Sequence, residues 1–169
     1  MSIQNTYVEV NLKNLEHNLN FLRRKISKKT KILCVVKAFG YGSEPIEIAK
    51  NLEENNVDYL AVAYLNEGVE LRKSGITSPI LVLHPQRDDF DDIIKYNLEP
   101  NIYSFRVLDA FVKSSKNEKE YPFHLKFNTG LNRLGFSFKD IEEIHAKFKS
   151  FPIIKIKYIF SDFCASVVF

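Results

Sequence analysis

Two short stretches of this chain carry residue types suited to covalent and acid–base chemistry. The first is Val35-Val36-Lys37-Ala38-Phe39-Gly40-Tyr41-Gly42, in which a lysine ends an apolar run. An ammonium is costly to bury, and partial desolvation moves a lysine towards its free amine. That amine is a nucleophile able to bond an aldehyde cofactor. Gly40 and Gly42 allow a close turn round a ligand, and Tyr41 adds a hydroxyl donor. The second stretch, His124-Leu125-Lys126-Phe127-Asn128-Thr129-Gly130-Leu131-Asn132-Arg133-Leu134-Gly135-Phe136, bends at Gly130 and Gly135. It presents Lys126 and Arg133, and an arginine can hold a carboxylate through two parallel hydrogen bonds. On residue types alone, both stretches have plainer readings. A lysine snorkelling to water from a strand end is the commoner case, and a surface ion pair accounts for Lys126 and Arg133.

The remaining polar candidates read as structural. Cys34 and Cys164 make neither a disulfide framework nor a zinc cluster, and Cys34 is expected in the core of a buried strand. The cluster Asp88, Asp89, Asp91, Asp92 suits the start of a helix better than a metal. Lys25, Lys28, Lys29 and Lys31 lack interleaved aromatics, so they read as a solvated loop and not a nucleic-acid patch. His17 falls on the polar side of a helix, His145 on a helix surface, and His84 at a strand end where it could line a site.

These residues need elements to position them. Six apolar runs recur at 31–36, 58–63, 79–84, 99–104, 123–128 and 154–161. Several are nearly continuous in Val, Ile and Leu, as in strands buried on both faces of a parallel sheet. Amphipathic segments lie between them. Leu12, Leu15, Leu19, Leu22 and Ile26 follow the capping residue Asn11 at helical spacing. Pro45 opens another helix, and Gly75 ends the one through Leu71. Further helices are expected around Phe90/Ile93/Ile94, Leu108/Phe111/Val112 and Ile141/Ile144/Phe148. Strand-then-helix repetition is the cadence of a (β/α) barrel or a doubly wound sheet. A lysine ending a barrel strand then faces the mouth where active sites form.

Composition agrees with one globular domain over 1–169. The chain is 45% hydrophobic and 27% charged with a formal net charge of +3, and its 14 Phe and 8 Tyr speak against disorder. No apolar run approaches the roughly 18–20 residues of a membrane span. The opening MSIQNTYVEVNLKN lacks the order of a secretory signal, so the cytoplasm is expected. A full eight-stranded barrel takes about 250 residues, whereas 169 residues supply about six units and end on SDFCASVVF. The chain is therefore expected to be an incomplete barrel, with a hydrophobic sheet edge favouring association or instability.

Taken together, VVKAFGYG, LAVAYLNEGVELRKSGITSPILVL and HLKFNTGLNRLGF, in this order and spacing, closely resemble the alanine racemase family. The resemblance runs from about Val8 to about Ser161. It implies an α/β fold, the (β/α)8 TIM-type barrel of fold-type III enzymes, here incomplete and without the C-terminal β-domain. It also implies pyridoxal 5′-phosphate as cofactor, alanine as substrate and a homodimer. By the same resemblance, Lys37 carries the cofactor and serves as one catalytic base, and Tyr41 contacts its phosphate. Arg133 lies near the substrate carboxylate, and Lys126 orients that arginine, being carbamylated in some members.

Departures accompany these matches. The family normally places a histidine that stacks on the cofactor ring where this chain has Asp162, and another where it has Ser43. The second base, a tyrosine of the β-domain, falls beyond residue 169, as do the pyridine-contacting arginine and phosphate-binding loops. The opening strand Tyr7–Val10 belongs with that β-domain, and here it is expected to lack a partner. The 169 residues alone are thus expected to racemise alanine poorly. Two alternatives stay open: another barrel enzyme using the same cofactor, such as a decarboxylase or different amino-acid racemase, and a non-catalytic cofactor-binding fragment.

Overall fold

The structure is a computed structural model, which describes residues 7–117, 120–150 and 154–163. Its elements alternate as the sequence pattern requires. They are α1 (Leu12–Lys25), β1 (Leu33–Val35), α2 (Lys37–Gly42), α3 (Pro45–Glu54), β2 (Tyr59–Val62), α4 (Leu65–Lys73) and β3 (Ile80–Val82). There follow α5 (Phe90–Lys95), β4 (Glu99–Ile102), α6 (Phe105–Ser114), β5 (Tyr121–Lys126), α7 (Ile141–Ser150) and β6 (Ile154–Phe160). The strands are parallel in every register given, and their order follows the chain. All six apolar runs thus form strands, and the expected helices lie between them.

The described residues fall into two compact units, one of 7–62 and 66–80, the other of 63–65 and 81–163. In the first, β1 pairs with β2 from Leu33↔Tyr59 to Val35↔Ala61. β2 is buried throughout, with Leu60, Ala61 and Val62 wholly enclosed beside Leu52, Leu71 and Ile76. Asn11 caps α1, its side chain accepting from the Asn14 N–H. Pro45 occupies the first turn of α3, where its missing N–H is harmless. Gly75 ends the α4 region at φ +95°, a conformation that glycine adopts without penalty.

Two expectations are corrected in this unit. β1 is not buried on both faces, since Leu33 and Val35 are exposed and Cys34 is only half-buried. Its partner among the described residues is β2 alone, which leaves its other edge uncovered. Cys34 is therefore not a core residue, although burial still pushes its thiol up against the opposing charge of Arg23. The stripe on α1 is likewise partly uncovered, with Leu19 buried but Leu22 and Ile26 exposed. Tyr7–Val10, read from the sequence as an opening strand, forms no strand here. Cys164 lies outside the described residues.

In the second unit β4, β5 and β6 pair through Asn101↔His124 and Tyr121↔Ile154 onwards. Its core is aromatic: the Phe111 ring lies 5.5 Å from Phe90 and 5.2 Å from Phe123. Such tilted pairs add to simple area burial. Ser104 caps α6 by accepting from the Val107 N–H. Between Phe123↔Ile156 and His124↔Tyr158 the β5–β6 register slips, leaving Lys157 as an extra residue. Such a bulge re-aims a side chain, and Lys157 Nζ reaches Glu99 Oε1 at 2.6 Å.

Candidate functional site

The first candidate region begins where β1 ends. Val36 extends the pairing by donating its N–H to Ala61 O. The chain then makes one turn of left-handed helix: Ala38, Phe39, Gly40 and Tyr41 all have φ of 52–60° and ψ of 34–55°. For L-residues this conformation costs roughly 1–2 kcal/mol each, and only Gly40 is exempt. Three features hold the turn. Gly40 N–H donates to Val36 O at 3.2 Å, and Ser43 N–H donates to Phe39 O and Gly40 O. Glu67 of α4 accepts the Ala38 N–H on Oε1 at 2.7 Å. Gly40 is needed for space as well, since a Cβ there would lie 3.2 Å from the Pro45 backbone.

Lys37 heads this turn and is half-buried. Among the described residues its ammonium has neither a hydrogen-bond nor an ion-pair partner. Tyr41, in the same turn, is 66% exposed, which leaves its hydroxyl open to solvent. A partnerless amine on a strained, well-tethered turn is the donor set that an aldehyde cofactor requires, so the residues present fit that group. Ser43, where the resemblance led to a histidine, serves through its backbone N–H.

The second candidate region is the loop after β5. Asn128 N–H donates to Phe136 O and Phe136 N–H to Lys126 O, both at 2.8 Å, so the loop closes on itself. Asn128 organises its interior, Oδ1 accepting from the N–H groups of Gly130 and Asn132. Gly135, at φ +128°, sits so close that a Cβ would lie 2.6 Å from Asn128 N. The Phe136 ring packs edge-on to Phe105 at 5.1 Å, anchoring the loop's return.

This loop brings Lys126 and Arg133 together through a third residue. Lys126 is 4% exposed, and its ammonium donates to Asp162 Oδ2 at 2.7 Å. Arg133 Nη2 donates to the same oxygen at 3.4 Å. The Phe160 ring lies 5.4 Å below the Lys126 ammonium, near enough for cation–π attraction. Burial pushes the Asp162 carboxyl up, but the Lys126 hydrogen bond and charge, with Arg133 behind them, hold it below the usual aspartate range. The ion-pair alternative for Lys126 and Arg133 is thus realised in part, although on the lysine side the pair is buried.

Sequence reasoning missed several contributors. Glu67 shows its role only once α4 is folded beside the turn. Glu99 and His124 form a buried pair, His124 Nε2 lying 2.7 Å from Glu99 Oε2, and the exposed Lys157 joins them through Glu99 Oε1. Burial raises the Glu99 carboxyl, and the hydrogen bonds and charges of His124 and Lys157 outweigh it, leaving a net shift below the usual glutamate range. The available signal was a carboxylate inside an apolar run, with His124 two residues from Lys126 on one strand face. His84 is half-buried, its ring 6.0 Å from Tyr64, while His17 and His145 are exposed. Among the described residues no three His, Cys, Asp or Glu side chains group as metal ligands, the 88–92 acidic cluster included. No helix among them is long and apolar enough to cross a membrane.

Comparison with known proteins covers nearly the whole chain, both regions included. The family described as alanine racemase, N-terminal domain, matches residues 10–167. An amino-acid racemase of Enterococcus faecalis is 39% identical over 161 residues, which is 95% of this chain and 22% of that protein. An alanine racemase of Clostridium kluyveri is 40% identical over 159 residues, 92% of this chain and 40% of its own length. The solved alanine racemase of Clostridium difficile 630 superposes with a TM-score of 0.85 at 36% identity, over 92% of this chain and 42% of that one. The chain therefore spans less than half the length of these relatives. Its six parallel strands are those of an incomplete (β/α) barrel of this type. On this match the chain belongs to the alanine racemase N-terminal domain family.

Proposed function

We propose that residues 1–169 are the cofactor-binding part of an alanine racemase barrel, a pyridoxal 5′-phosphate enzyme of the cytoplasm that supplies D-alanine for peptidoglycan. The observation that carries this reading is the half-buried, partnerless ammonium of Lys37 at the head of a left-handed turn. Lys37 is the residue to bond the cofactor aldehyde and to move the substrate Cα proton on one face. The Tyr41 hydroxyl is the contact for the cofactor phosphate. Arg133 receives the alanine carboxylate, and Lys126 supports it from the strand. When bound, the cofactor's pyridine ring withdraws electrons from the substrate Cα and so makes its proton acidic. Inversion needs a base on each face, and Lys37 is one. The 169 residues taken alone are therefore a poor racemase, and the family's homodimer is the form in which activity is expected. The first test is absorbance: the chain mixed with pyridoxal 5′-phosphate should gain a visible band that Lys37→Ala removes. A band that persists unchanged in the variant contradicts the reading.

A second reading is favoured by one observation, the 39% identity to the amino-acid racemase of E. faecalis. On that reading the chemistry is the same and the side chain accepted differs. Competition between alanine and bulkier amino acids for the loaded chain separates the two.

A further inference from the structure

We propose that Asp162 is a positioning residue for Arg133, holding the guanidinium and the Lys126 ammonium in one cluster about a single carboxylate oxygen. This rests on the reading of Arg133 as the group that receives the substrate carboxylate. The backbone places the aspartate before its side chain acts. Phe127 N–H donates to Phe160 O at 3.0 Å, and the Thr129 hydroxyl donates to Asp162 O at 3.3 Å, so the ends of β5 and β6 are tied together. From that fixed position Oδ2 lies 2.7 Å from Lys126 Nζ and 3.4 Å from Arg133 Nη2.

Charge accounts for why a carboxylate is needed. A buried ammonium without an anion is costly, and Asp162 is the anion that Lys126 meets. Two cations about one carboxylate leave one positive charge in excess. Lys126 is enclosed, while the Arg133 side chain is 56% exposed, so the excess charge is presented to solvent on the guanidinium. One Arg133 donor is engaged, at long range, which leaves the rest of its planar fork for a ligand carboxylate. A histidine at 162 has at most one acceptor nitrogen and none when protonated, so it could not bridge two cations.

The test uses the 169-residue chain, with Asp162→Asn to remove the charge and Asp162→Glu to restore it. Three readouts apply: the Arg133 Nε–Hε resonance, acetylation of Lys126 by acetic anhydride, and affinity for propionate as a simple carboxylate. In Asp162→Asn the Arg133 resonance should collapse to the free-arginine position. Lys126 acetylation should rise, and propionate affinity should fall about tenfold, the loss expected for a charge-assisted hydrogen bond. Asp162→Glu should recover part of each effect. Unchanged or tighter propionate binding in Asp162→Asn overturns the proposal, because removing a negative charge favours an anion unless geometry has been lost. Should the variants not fold, the Arg133 resonance of the unaltered chain must titrate together with the Asp162 carboxyl, and a signal indifferent to it overturns the proposal equally. Wild-type chain that binds no propionate overturns the carboxylate reading of Arg133 instead, and positioning is then decided by the resonance and acetylation results.

Discussion

Lys37 and Lys126 stand at the ends of two parallel strands, β1 and β5, and the fold treats them oppositely. Lys37 is half-buried and left without a partner, on a turn whose backbone is strained and tethered by Glu67. Lys126 is enclosed, with its ammonium held by Asp162 and the Phe160 ring. The same side chain at the same kind of position is thereby given two environments, which suit the two tasks proposed for them. The unpaired amine is available to an electrophile, whereas the paired one is a fixed charge that organises its neighbours. Position on the barrel narrows the candidates, and the partners decide between them.

The contrast can be broken most severely from the β5 side. Gly135→Ala places a Cβ against the backbone of Asn128 and Phe127 at φ +128°. It should lower stability by about 3 kcal/mol or more, read from the urea midpoint. Lys126→Ala comes next, leaving Asp162 with Arg133 alone beside a buried gap. A loss of about 2–4 kcal/mol is expected, against at most about 0.5 kcal/mol for Lys37→Ala, whose ammonium has no partner to lose. Equal losses in the two variants would erase the distinction.

Acid sharpens it further. The Glu99 carboxyl is held below its ordinary range in the fold, so the folded state binds fewer protons than the unfolded chain there. Its stabilising contribution is complete above the unfolded value of about 4.3 and is lost as pH falls through the lower folded value. Urea midpoints should therefore decline from about pH 4 downward, and Lys157→Met should flatten that decline. At the β1 turn a smaller loss than that of Lys126→Ala is expected. Glu67→Ala removes the acceptor of the Ala38 N–H and should cost about 1 kcal/mol. Its clearer consequence is weaker pyridoxal 5′-phosphate binding by spectral titration, with Glu67→Gln restoring part of it.

Much of this was legible in the residues. Continuous Val-Ile-Leu runs gave the parallel strands, and Asn11, Pro45 and Gly75 marked helix ends because capping is local chemistry. Lys37, Tyr41, Lys126 and Arg133 could be singled out since their types and spacing fit a known family pattern. The left-handed sense of residues 38–41 was not legible: Gly40 and Gly42 signal a tight turn, but Ala38, Phe39 and Tyr41 adopt positive φ in a turn tied by Glu67, Val36 and Ser43. Asp162 looked like a lost stacking surface, since its value lies in two cations brought to it from β5 and the following loop. Cys34 and Leu33 read as core because composition does not reveal which strand will lie at an edge.

The ε-nitrogen of Lys37 is the atom on which the proposed chemistry turns, and one measurement addresses it directly. The chain is saturated with pyridoxal 5′-phosphate, reduced with borohydride, digested and mapped by mass spectrometry. The predicted result is a pyridoxyl label on the peptide containing Lys37, with Lys126 unlabelled. A label on Lys126, or folded and saturated protein in which Lys37 stays unmodified, would contradict it.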